Sequence, residues 1–316
     1  KVSIDKNNFS LTAQAGCTLI NIKKFSQNSR MYFPLNLPSK ESCTIGGNIA
    51  SNAGGSNVLK YGMTRDLVLG LEIVLPDGRI LNNLKEIKKD NRGYDLKHLF
   101  IGSEGSLGII TTAVLKLFPQ PKKTGMAIVA IKNIKKVIEF LKYINSGYKE
   151  QLQSFELNSN LGMSFIKKHF TDIAIPFNNN YPWYVIFELS FLKNIDVEKE
   201  IESILEQSFE QKYILDAIKP QNLKQYNNIW KTRDWLSFAQ KKDGKSIKHD
   251  ISIPISNIPL FIKKSEVLIR KVLPNSNILI FGHIADANIH YNISSKEIEN
   301  KRNFELYSKK INTIVF

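Results

Sequence analysis

The sequence predicts an α+β protein of two domains. Stretches of strand period alternate with stretches of helical spacing, a proline-rich break at Pro119-Gln120-Pro121-Lys122-Lys123 interrupts that alternation, and the texture changes across the break. Before it the chain is rich in glycine and loops; after it the alternation is regular. The break sets the expected domains at 1–120 and 121–316.

Taken in order, Phe9–Ala15 reads as a strand and Gly16 as a turn. Thr18 then precedes Leu19, Ile20, Ile22 and Phe25 at helical spacing. Residues 34–66 are too dense in Pro, Gly, Ser and Asn for any element to run far. Val68–Leu75 and Arg79–Leu81 flank Pro76-Asp77-Gly78, a hairpin with its turn at the tip. Ala113–Phe118 is a strand fed by the loop GSEGSLGIIT (102–111). Beyond the break, strands are expected at Met126–Ile131, Trp183–Phe191, Ile251–Ile255, Asn277–Phe281 and Ile289–Ile293. Helices are expected at Ile134–Ile144, Val197–Phe209 and near Ile258–Val272. This half is expected to form an antiparallel sheet with helices on one side.

Composition narrows the function. A hydrophobic fraction of 42% supports a packed core. Lys+Arg 44 against Asp+Glu 29 gives +15, but the basic residues are scattered and no recognition motif accompanies them, so nucleic acid is not an expected partner. Cys17 and Cys43 are too few for a paired CxxC site or a disulfide framework. No apolar run approaches the ~20 residues that span a bilayer. A cytoplasmic location is the default expectation, with peripheral membrane association left open.

Two glycine segments stand out. TIGGNIASNAGG (44–55) carries four glycines and two asparagines in twelve residues. Glycine admits positive φ and lets a planar ligand lie on bare backbone; a set of tight turns is the alternative. Lys60, Tyr61 and Arg65 follow, placed either to face a phosphate or to pack on the surface. In GSEGSLGIIT, Gly102, Gly105 and Gly108 recur every three residues, and neither a GxGxxG fingerprint nor a P-loop is present.

In the second half, Trp230-Lys231-Thr232-Arg233 sets an arginine beside an aromatic. A guanidinium forks onto a carboxylate; a surface arginine on a charged helix is the alternative. Ser237 lies four residues on, one helical turn away. In Lys248-His249-Asp250, neighbouring strand residues point to opposite faces, so His249 and Asp250 cannot share a site, and His249 is expected to point outward. FGHIADANIH (281–290) places His283 and His290 around a polar turn, which suits either two imidazoles on one divalent ion or two unrelated histidines on a hairpin.

Both glycine segments, their order and the intervening KKDNRGYDLKHLFIGSEG (88–105) resemble the FAD-linked oxidases of the vanillyl-alcohol-oxidase family with a PCMH-type FAD-binding domain. The nearest branch is that of the D-2-hydroxyglutarate and D-lactate dehydrogenases, including the glycolate oxidase catalytic subunit. The resemblance implies the second part of a PCMH-type FAD domain followed by a ferredoxin-like, sheet-plus-helices substrate domain. It implies that the flavin lies against Pro34, Ile45, Gly46, Gly47, Asn48, Ala53, Gly54, Gly55, Tyr61, Gly62, Glu104, Gly105, Gly108, Ile109 and Ile110. It implies Arg233, Ser237 and Lys248 as substrate-binding residues, and His283 and His290 as ligands to Zn2+ or Mn2+. The family pattern GHxGDGNxH is kept here except at Ala285 and Ala287, where the family has glycine; a positive φ at either costs on the order of 1 kcal/mol or more.

The implied activity is FAD-dependent oxidation of a D-2-hydroxy acid to the 2-oxo acid, with a quinone or electron-carrier protein as acceptor and a homodimer left open. The family extends beyond both Lys1 and Phe316, into a pyrophosphate-binding part and a segment carrying the catalytic base. The alternative expectation is therefore an impaired remnant or one subunit of a split flavoenzyme.

Overall fold

The computed structural model describes all residues from Lys1 to Phe316. The chain forms two compact units, Lys1–Lys123 with Ser190–Ile195, and Thr124–Leu189 with Asp196–Phe316.

The first unit opens with β1 (Val2–Asp5) and β2 (Ser10–Gln14), then α1 (Leu19–Asn28) and the short β3 (Met31–Tyr32). The glycine- and asparagine-rich stretch folds as three short helices, α2 (Ile45–Ala50), α3 (Val58–Tyr61) and α4 (Thr64–Leu67). The expected hairpin follows as β4 (Val68–Val74) and β5 (Ile80–Asn83), turning through Gly78 at φ 83. Then come α5 (Lys97–Phe100), β6 (Ile109–Lys116) and β7 (Phe118–Pro119). The sheet runs β1-β2-β6-β4-β5, antiparallel throughout, and β3 pairs with β7 apart from it. Alternate residues of its strands, Leu11, Ala13, Leu71, Ile73, Ala113 and Leu115, close a core with Leu19 and Ile22 of α1 and Ile45 and Ile49 of α2. Burying that face against the helices is what fixes α2 against the sheet.

The second unit contains β8 (Lys123–Ile131), α6 (Ile134–Tyr148), β9 (Leu152–Ser159), α7 (Asn160–His169), β10 (Trp183–Phe191), α8 (Val197–Glu210), β11 (Asp216–Ile218), α9 (Leu223–Asp234), α10 (Leu236–Asp243), β12 (Ser246–Ile247), β13 (Asp250–Ser252), α11 (Ile258–Val272), β14 (Asn277–Gly282), β15 (Asn288–Ser294) and α12 (Lys301–Val315). The side chains of Asn133, Asn222 and Asn300 accept the third-position N–H of α6, α9 and α12, the asparagine capping that starts a helix cleanly. The sheet order is β11-β8-β10-β9-β14-β15-β12, with β13 also on β15.

Helices cover both faces of this sheet, not one. Gly125 of β8 lies where an added Cβ would meet Val197 and Ile201 of α8. Met126, Ile128 and Ala130 instead pack with Met163 of α7 and Ile229 of α9. Every residue of β9 is buried as a result. The second face is partly polar, yet its Glu156, Asn158 and Glu188 are all buried.

Glu188 shows what such burial costs. Its carboxylate accepts from Tyr226 Oη at 2.6 Å and from Gln153 Nε2 at 3.1 Å. Burial still pushes its pKa up, against the pull of those two hydrogen bonds. The native state thus holds this proton at a pH where the unfolded chain has lost it. Stability is undiminished below the ordinary carboxylate pKa and falls as pH rises through the native one. Gln153 Oε1 is buried without a partner, so turning that amide over gives an acceptor for protonated Glu188 or for a glutamine there. Glu188→Gln should therefore gain stability relative to the wild type as pH rises from 4 to 8, read from urea midpoints; a difference that stays constant with pH would refute this.

Candidate functional site

In the first unit the geometry builds a slot. Thr18 and Thr44 form an isolated antiparallel bridge, with Ile45 N–H donating to Cys17 O at 2.9 Å and Leu19 N–H to Cys43 O at 2.9 Å. Gly46 N–H donates to Ala15 O at 2.9 Å, and an added Cβ on Gly46 would stand 2.6 Å from that of Ala15. Only glycine lets α2 approach the Ala15-Gly16 turn so closely. On the other side, Gly102 and Glu104 N–H groups donate to the carbonyls of Ile49 and Ala50 at 3.1 and 2.9 Å, which fastens the second glycine loop to the first. The cavity between them measures about 330 Å³ and is lined by Ala15, Gly16, Thr44, Gly46, Gly47, Ala50, Gly105, Gly108, Ile109 and Ile110. It falls within the range of ligand pockets.

Six of the anticipated flavin residues thus line the slot: Gly46, Gly47, Gly105, Gly108, Ile109 and Ile110. The others serve the frame. Ile45 is a core side chain and Asn48 is buried against Cys43 Sγ. The Pro34 carbonyl accepts from Asn57 Nδ2 at 2.8 Å. Gly55, at φ 101, is held against the Asn36 carbonyl, and Gly62, at φ 80, against the Asp66 carboxylate. Tyr61 packs on Tyr32 and Phe118. Ala53 accepts from the Thr64 side chain, and Gly54 lies over Val58. Glu104 holds a left-handed turn at φ 52.

Arg65 spends its guanidinium on the carbonyls of His98 and Ile101 at 2.8 and 2.5 Å, while its N–H meets Asn52 Oδ1 at 2.9 Å. It straps the two glycine segments together instead of facing a phosphate. Ala15, Gly16, Thr44 and Ala50 are the slot residues that the sequence reading passed over.

The residues present fit a planar ring. Gly16 lines the slot and an added Cβ there would meet nothing within 4 Å, so the wall is bare backbone at that point.

In the second unit the centre is a carboxylate that the sequence reading missed. Glu156, on β9, is 2 % exposed and accepts from Arg233 Nε at 2.8 Å and from His283 Nδ1 at 2.6 Å. Arg233 Nη2 lies 3.4 Å from His283 Nε2, and the Phe281 ring lies 5.1 Å beneath the guanidinium carbon. Burial pushes the Glu156 carboxyl upward, but His283 and Arg233 outweigh it and hold the pKa at about 2. His283 is drawn down by burial and, more strongly, up by Glu156. Burial pushes Asp286 up to about 6, and burial with the nearby Arg233 charge depresses His290. The one signal for Glu156 was an acidic residue inside an otherwise strand-like run.

The turn between β14 and β15 folds His283 and His290 together, ring centroids 5.9 Å apart. Ala287 sits at φ 66, so the substitution of alanine for the family's glycine costs about 1 kcal/mol there.

The expected divalent ion has two candidate ligands here, His283 and His290. No group of three His, Cys, Asp or Glu side chains gathers to hold one. His283 Nδ1 donates to Glu156, which leaves Nε2 as its coordinating nitrogen with the Arg233 cation 3.4 Å from it, and Phe281 lies 4.7 Å from the His290 ring.

One further expectation changes, that of His249, and the structure places Ser237 and Lys248. His249 is buried, with Nδ1 on Tyr291 O and Nε2 on Asn312 Oδ1, both at 2.9 Å, because α12 covers the face it points to. The helix carrying Arg233 breaks at Trp235, so exposed Ser237 belongs to α10, outside the Glu156 network. Lys248 is exposed and lines a different cavity of about 870 Å³ with Lys241, Lys245 and Lys301.

Comparison with known proteins matches residues 1–83 to the family described as FAD binding domain and residues 120–315 to FAD linked oxidases, C-terminal domain. Among curated relatives, the mitochondrial D-2-hydroxyglutarate dehydrogenase of Arabidopsis thaliana is 33% identical over 300 residues, 95% of this chain and 53% of that protein. The D-2-hydroxyglutarate dehydrogenase of Stutzerimonas stutzeri (strain A1501) is 31% identical over 303 residues, 96% of this chain and 64% of that one. The chain spans about half the length of the plant relative. A solved alkyldihydroxyacetonephosphate synthase superposes with a TM-score of 0.74 at 18% identity, over 99% of this chain and 60% of the other, a likeness of fold.

Proposed function

The chain belongs to the FAD-linked oxidases, and from that premise we propose that it supplies the flavin slot and the substrate anchor of a dehydrogenase oxidising a D-2-hydroxy acid to the 2-oxo acid. FAD, when bound, supplies the acceptor for the hydride leaving C2 of the substrate. Gly46, Gly47, Gly105 and Gly108 hold its ring on bare backbone.

The observation that carries the substrate class is Arg233. Its guanidinium is nearly buried, supported from below by Phe281, and positioned to fork onto a carboxylate. His283, with its Nδ1 proton directed at Glu156, presents Nε2 as the acceptor for the substrate hydroxyl when the ring is neutral. No step is assigned to a metal or to Lys248. A quinone or carrier protein serves as the final electron acceptor in this proposal.

The test is anaerobic titration of the flavin-loaded protein, expressed at the full length of its gene. D-2-hydroxyglutarate or D-lactate should bleach the flavin absorbance, and the L-enantiomers should not. Arg233→Met should raise the half-saturating concentration on the order of 100-fold with flavin content unchanged. Absence of bleaching by any D-2-hydroxy acid, or an Arg233→Met protein that titrates like the wild type, would overturn the assignment.

A further inference from the structure

We propose that Glu156 is the positioning residue of the substrate-carboxylate site, fixing which edge of Arg233 faces the substrate and which nitrogen of His283 carries its proton. The proposal rests on the reading of Arg233 as the carboxylate anchor.

A guanidinium offers two paired-donor edges, one through Nε and one through the two terminal nitrogens. Glu156 Oε2 takes the Nε proton at 2.8 Å, which closes the first edge. Phe281 covers one face. A substrate carboxylate is left the terminal edge. The second oxygen acts on His283. An ionised carboxylate only accepts, so the 2.6 Å contact requires a proton on Nδ1 and leaves Nε2, 3.4 Å from Arg233 Nη2, as the nitrogen that faces the site. One carboxylate from β9 thus orients groups from α9 and from the β14–β15 turn.

The burial is uneven in a telling way. Glu156 is sealed at 2 %, while the side chains of Arg233 and His283 reach solvent at 11 % and 22 %. Buried ion pairs are poor stabilisers compared with apolar packing of the same volume. A sealed acceptor behind two donors that face outward is the arrangement expected of a support for binding groups.

Glutamine keeps the shape of Glu156, but its amide nitrogen faces one of the two donors. The test uses oxalate, a redox-inert dicarboxylate, binding to the flavin-loaded full-length protein, read by perturbation of flavin absorbance. Glu156→Gln should weaken oxalate on the order of 10- to 50-fold and raise KM for the D-2-hydroxy acid more than it changes kcat. In an Arg233→Met background the same substitution should weaken oxalate less than about 2-fold, since the group it positions is gone. Wild-type affinity in a folded, flavin-loaded Glu156→Gln protein overturns the proposal, as does an equal effect in both backgrounds.

If Glu156→Gln does not fold, Arg233→Lys decides. It keeps the charge but has no Nε–H for Glu156, and wild-type affinity in that variant overturns the proposal. A wild-type protein that binds neither oxalate nor any 2-hydroxy acid removes the Arg233 reading itself. That outcome is distinct from a wild type that binds and a Glu156 variant that binds equally.

Discussion

Gly16→Leu is expected to leave the protein folded but colourless. Gly16 lies in the turn between β2 and α1, and it is absent from the set of glycines at positive φ. An added Cβ there has no neighbour within 4 Å, so its backbone does not demand glycine and its surroundings do not clash with a side chain. Gly16 lines the slot, so a leucine there adds bulk at the slot wall. Stability should shift within about 0.5 kcal/mol, as for substitutions that touch no packed feature. Bound flavin, measured by absorbance against protein, should fall below about a tenth of the wild-type ratio, because a ring stacked on backbone cannot share the slot with a side chain. Gly46→Leu is the contrast. Its Cβ collides with Ala15, and overpacking of this kind costs roughly 1–3 kcal/mol before any effect on flavin is counted. A Gly16→Leu protein that purifies with a full complement of flavin would remove the slot from the account.

Phe140→Ala should produce the largest loss of stability, about 3–5 kcal/mol. The ring, fully buried on α6, meets Phe155 of β9 at 5.7 Å and Phe187 of β10 edge-on at 5.6 Å. Truncation removes the ring that joins that helix to two central strands and leaves a void that rigid aromatic neighbours cannot fill. Chemical denaturation at constant temperature measures the loss directly; a cost under about 1 kcal/mol would mean that the helix is held by other contacts. Affinity for a carboxylate probe should survive under conditions where the variant stays folded. Phe155 and Glu156 are adjacent on one strand and therefore point to opposite sides of the sheet.

That alternation also explains what the sequence disclosed and what it withheld. The hairpin through Pro76-Asp77-Gly78, the helix over Ile258–Val272 and the strand over Trp183–Phe191 were all legible, because period and turn chemistry act locally. The glycine segments announced a backbone-lined surface by composition alone, but not which glycines face it. Gly46, Gly105 and Gly108 do, whereas Gly55 and Gly62 are required by Asn36 and Asp66, contacts made only once the chain has folded.

Arg233 and His283 were legible as chemistry-bearing residues. Their common partner was not, since Glu156 lies 77 residues from one and 127 from the other. A polar residue in a strand reads as solvent-facing unless a second helical layer is known to cover it. His249 was misread for the same reason: alternation gives the two sides of a strand but not which side α12 will close.

Arg65 has a consequence for tolerated change in length. Residues 84–96 run without regular structure between β5 and α5, and 87–96 are exposed throughout. At the downstream end, the guanidinium holds the carbonyls of His98 and Ile101 against the segment carrying Asn52. Insertions or deletions upstream of that clasp lengthen or shorten a surface excursion at small entropic cost, and the register of the second glycine loop is unaffected. Variation in length among descendants of this gene should accordingly collect within 84–96, while the interval from Arg65 to Val74 stays constant.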